Sequence, residues 1–60
     1  SEREFVVAGL RDELQREPLE EEIEAVVREF EHTNIRSVAI TNGLDRLRGE
    51  VVEDYSAFRS

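Results

Sequence analysis

Six apolar residues, Ile40, Leu44, Leu47, Val51, Tyr55 and Phe58, follow one another at steps of four, three, four, four and three. Such steps place side chains on one face of an α-helix, whereas a strand needs alternation in twos. No other run in the chain keeps a period for so long. It predicts one helix over about 35–58, with Asn42-Gly43 as its weak point, where it bends or divides. Asn-Gly is a strong hairpin signal only between alternating strands. Val38-Ala39-Ile40-Thr41 could supply one such strand, but the downstream residues step by three and four.

Two shorter helices are expected upstream. Ser1 and Glu4 have the spacing of a capping box. Val6, Val7, Leu10 and Leu14 then form a stripe, giving a first helix over about 2–16. Pro18 disfavours helix at the residue before it and suits the first turn of a new one. Glu20, Glu21 and Glu22 crowd that turn, where the helix dipole favours negative charge. Leu19, Ile23, Val26, Val27 and Phe30 form the stripe of a second helix over about 18–31. Glu24, Arg28 and Glu31 lie away from it. His32-Thr33-Asn34 breaks the pattern, with Thr33 or Asn34 placed to cap the third helix, and Ile35, Val38 and Ala39 cover one side of that helix. The fold class is therefore all-α: three helices in a single domain spanning 1–60.

Size then constrains association. A chain of 60 residues buries only about 60% of the surface its unfolded form exposes. Its core rarely supplies more than about 3–5 kcal/mol without a disulfide, a metal or a partner. Cysteine is absent, which removes disulfides and thiolate ligands. A helix of 24 residues is roughly 36 Å long, and its two neighbours are roughly 20 Å each. They cover it only in part, and the surplus apolar end points to a contact site. The expectation is a homodimeric helical bundle whose interface is Ile40, Leu44, Leu47, Val51, Tyr55 and Phe58, in a non-catalytic, regulatory association module that also suits another protein partner.

Charge narrows the setting. There are 15 acids against eight bases, net −7, and every base is arginine. An acidic surface without lysine stays hydrated where molar salt screens charge beyond about 3 Å; a salt-adapted or high-GC microbial source is expected. No apolar run approaches the roughly 18 residues of a membrane span, and no leader pattern is present, so a cytoplasmic location is the default. The chain opens on Ser1 and not Met, which suggests processing, a tag remnant or excision from a longer protein.

Residues 1–31 carry net −7, residues 32–49 net +2 and residues 50–60 net −2. The slightly basic middle carries the alternative reading. Thr33-Asn34-Ile35-Arg36-Ser37-Val38 resembles the turn and second-helix start of a helix-turn-helix. That resemblance implies a transcriptional regulator presenting Arg36, Ser37, Thr41, Arg46 and Arg48, with Asn42 beside them, to DNA. The acidic remainder works against it, because duplex binding draws on phosphate neutralisation.

Enzymatic and metal chemistry find little footing. Glu29 and His32 have the Glu-x-x-His spacing of di-iron bundles, but helical projection puts both off the apolar stripe. Glu21-x-x-Glu24 and Glu50-x-x-Glu53 resemble the paired carboxylates that hold Mg²⁺ in helical nucleotide pyrophosphohydrolases, yet Glu21 projects outward. Lysine is missing, the one histidine has no arranged partner, and Gly9, Gly43 and Gly49 form no phosphate loop. Neither catalytic residues, a metal nor a cofactor are expected.

Overall fold

A computed structural model describes residues 1–59, with side chains over 1–49. The chain is all-α: α1 spans Glu2–Leu14, α2 Glu20–Thr33 and α3 Arg36–Arg59. The predicted capping box forms: Ser1 Oγ accepts the Glu4 N–H at 3.3 Å, and Glu4 reaches back to the Ser1 nitrogen. The first helix stops two residues earlier than its sequence suggests. Gln15 turns into the left-handed region at φ 58° and sends its N–H to the Arg11 carbonyl. That conformation ends a helix.

Pro18 does not sit in the first turn of α2 but before it. Leu19 is the extended residue at the helix entrance and is 55% exposed, so it is no part of the buried stripe. Asn34 also departs from expectation. It does not cap α3; it closes α2 in the left-handed region at φ 61°, which Asn tolerates. Thr33 Oγ1 accepts the Ile35 N–H at 3.3 Å, and the Ile35 carbonyl receives the first bond of α3 from Ala39. Ile35 and Val38 remain 55% and 41% exposed, leaving Ala39 and Ile40 to face the core.

Only Asn34 and Ile35 join α2 to α3, and these two helices share the most extensive contact in the fold. A link that short, with contact this extensive, lays α3 back against α2 as a helical hairpin. Gly43 lies inside α3 without a break, and its φ is not positive. Its role is close approach: a Cβ there would come within 2.8 Å of Val26 Cγ2 and 3.0 Å of the Val26 backbone. The core is Val6 and Leu10 from α1, Ile23 and Val26 from α2, and Ala39 and Ile40 from α3. Val7, Leu14, Val27, Phe30 and Leu44 pack around it half-buried.

Candidate functional site

The long stripe of α3 divides along its length. Ile40 is buried in the core, while Leu44 and Leu47 are half-buried. Val51, Tyr55 and Phe58 lie outside the described side chains, although the helix backbone carries their positions on to Arg59. Val26 and Gly43 fix the level of the hairpin. Counting from them at equal rise, Glu20 at the start of α2 comes level with residue 49. From there α3 continues for about ten residues, roughly 15 Å.

Two basic residues of α3, Arg36 and Arg46, are held by the neighbouring helices. Arg36 lies with Cζ 4.0 Å from the centre of the Phe5 ring, and its Nη1 donates to the Phe5 carbonyl at 3.1 Å. Gly9 makes this possible, since it stands four residues after Phe5, where a side chain would cover that carbonyl. A Cβ on Gly9 would meet Arg36 Cδ at 2.6 Å and Ile40 Cδ1 at 3.0 Å. Phe5 also packs on Phe30, ring centres 5.8 Å apart. Arg36 thus ties α1 to the start of α3 by stacking and a charge-assisted hydrogen bond.

Arg46 pairs with Glu29 at 3.0 Å. Side chains lean toward the N-terminus of their own helix, so in an antiparallel hairpin both converge on the level of Val26 and Gly43. Glu29 is accordingly buried, contrary to the projection that put it on the solvated face, and His32 is exposed. The two share no site. Glu21 and Glu24 are both exposed. No group of three metal-ligating side chains comes together among the described residues. Ser37, Thr41, Asn42 and Arg48 are exposed, so of the five residues in the DNA reading, Arg36 and Arg46 are engaged within the chain.

A second cluster was not foreseen. Arg16, in the turn after α1, grips both carboxylate oxygens of Glu22 at 3.0 and 2.7 Å, and Glu22 Oε1 also accepts the Leu19 N–H at 2.7 Å. One carboxylate thereby closes the connection and caps α2. The Arg16 hydrogen bonds hold the Glu22 carboxyl below its ordinary range; the Leu19 N–H acts in the same direction, and burial opposes both. The sequence signal was an acid at the third helical position, legible as helix-dipole preference. Its arginine partner six residues upstream depends on how the connection folds.

No protein family, curated protein or solved structure gives a significant match to this chain.

Proposed function

We propose that this chain is a non-catalytic association module whose partner is a second copy of itself. What supports the reading is the length of α3, which by helical rise from the Val26–Gly43 contact continues about ten residues past the level of Glu20 and bears Val51, Val52, Tyr55 and Phe58 in sequence. Surface area supports it. A compact monomer of 7.0 kDa exposes about 4000 Å², whereas this chain exposes 4516 Å².

Leu44 and Leu47 are half-buried at the inner edge of the overhang and continue its stripe toward the core. A second chain laid there extends the core across both copies and supplies the burial that 60 residues cannot provide alone. Sedimentation equilibrium across a range of concentrations tests the proposal. A dimer in the wild type and a monomer with retained helicity in Leu47→Asp are the expected results. A wild type that stays monomeric at hundreds of micromolar removes the proposal.

A further inference from the structure

We propose that Asn42-Gly43 is a self-modification site, where the Asn42 side chain closes on the Gly43 backbone nitrogen once α3 lifts away from α2. It needs only the single chain and is independent of association. The pair is a hairpin signal that the fold does not use as a turn: both residues lie inside α3, Asn42 exposed and Gly43 buried. The dipeptide carries its own reagents. In an open chain the Gly43 nitrogen loses its proton and attacks Asn42 Cγ. The N–Cγ bond forms, the Cγ–Nδ2 bond breaks, and ammonia leaves with the proton. Water then opens the cyclic imide at either carbonyl, giving aspartate at 42 or a chain that continues through the former side chain. The net change is amide and water to acid and ammonia, without oxidant, metal or second protein. Glycine favours the attack, because no Cβ shields its nitrogen.

The fold holds this reaction back in three ways. Helical backbone at Asn42 keeps the Gly43 nitrogen turned from Cγ, and ring closure requires a ψ outside the helical range. The Gly43 N–H belongs to the helical ladder, directed at the carbonyl of the fully buried Ala39. Gly43 is also seated on α2, where a Cβ would lie 2.8 Å from Val26 Cγ2 and 3.0 Å from the Val26 Cα and nitrogen. A change of ψ at Asn42 swings the rest of α3 and breaks that seat. Close packing on Val26 requires glycine at 43, which makes the dipeptide reactive in the open chain and inert in the closed one.

Asn34 provides the contrast. It is exposed and lies outside the helices at φ 61°, yet the β-branched Ile35 follows it and crowds the attacking nitrogen. The reaction at Asn42 also runs one way. The side-chain-linked product carries an extra backbone carbon, so the helical ladder and the Val26 seat cannot both be restored. The ordinary product places an acid three residues before Asp45, and like charges at that spacing oppose the helix. Each product favours the open state from which it formed, so modified chains accumulate as a covalent record of opening.

The test incubates the intact chain in mildly alkaline buffer, with and without guanidinium chloride, and follows tryptic peptides by mass spectrometry. Cleavage at Arg36 and Arg46 releases residues 37–46 as one peptide, and cleavage at Arg28 and Arg36 releases Asn34 in another. A core of this size leaves an open population of about one in a hundred or less. Conversion at Asn42 should therefore be at least about a hundredfold faster in denaturant, with Asn34 unchanged over the same time. Val26→Ala, which empties the seat of Gly43, should speed conversion about tenfold in buffer and leave the denatured rate unchanged. Gly49→Ala should slow it in buffer by up to about fivefold. A folded wild type that converts at a rate close to its denatured one overturns the proposal. So does conversion at Asn34 ahead of Asn42, or a Val26→Ala rate in buffer equal to that of the wild type.

Discussion

Gly43 and Gly49 stand six residues apart on one helix and should respond oppositely to the same substitution. At Gly43 a methyl group meets the Val26 backbone at 3.0 Å, which cannot give way locally. Gly43→Ala is expected to cost about 1–3 kcal/mol through overpacking, more than the gain in helix propensity returns. At Gly49 a Cβ meets nothing within 4 Å among the described residues. Gly49→Ala should stabilise by up to about 1 kcal/mol. Paired urea titrations check both signs. Gln15 offers a third residue-scale test. It holds φ 58° without the excuse of being Asn or Gly, so Gln15→Gly should raise stability by about 0.5–1 kcal/mol despite the looser unfolded chain. Sequence composition marks all three glycines as weak helix formers. It does not separate the one that admits a neighbouring backbone, because that depends on what lies opposite.

At the scale of elements, the two connections are held differently. The link between α1 and α2 is fastened by Arg16, Glu22 and the Leu19 N–H. Because the folded state depresses the Glu22 carboxyl, its contribution is fully present above the ordinary glutamate range. It is lost as pH falls through the depressed value. Glu22→Gln should therefore flatten the acid limb of the stability profile, and Glu22→Ala should cost about 1 kcal/mol at neutral pH by removing the cap. Thermal melts from pH 7 to pH 2 measure both. Arg36 against Phe5 adds to the attachment of α1 to α3 that Val6, Leu10, Ala39 and Ile40 provide in the core. Arg36→Ala should cost about 1 kcal/mol and raise hydrogen exchange in α1 before α2 or α3. Equal acceleration in all three helices would count against that assignment. The three helices were legible in sequence to within about two residues at each end. The ends that differ by two residues are those set by αL geometry at Gln15 and Asn34, and the start of α2, which the extended Leu19 delays. The stripes were legible too, but their outer members were not: Leu19, Ile35 and Val38 fit the period and still face solvent. Periodicity assigns a face of one helix; the width of face that neighbours cover is settled by how they cross it.

At the scale of the whole molecule, net charge bears on the proposed association. A chain of net −7 with eight arginines and no lysine repels its own copy in dilute buffer, and salt screens that repulsion. If the acidic surface is an adaptation to salt, both the melting temperature and the dimer fraction should rise from 0.1 to 2 M KCl. An unresponsive melting curve would set the salt-adapted origin aside. Leu47→Asp should abolish the concentration dependence of melting, since a monomer gains nothing from mass action.

By itself the sequence determined the helices, their order and the long stripe of α3, because period, caps and breakers act within a few residues along the chain. Tertiary structure alone decided which charges are structural. Arg36, Arg46, Glu22 and Glu29 look like solvated surface in one dimension; Arg36, Arg46 and Glu29 become ties once α3 packs on α1 and α2, and Glu22 becomes one once the α1–α2 connection brings Arg16 to it. It also decided the level at which α2 and α3 meet, through the Val26–Gly43 contact. A stripe can be read from spacing, but the part of it that neighbours cover is set by the lengths and levels of the helices packed against it.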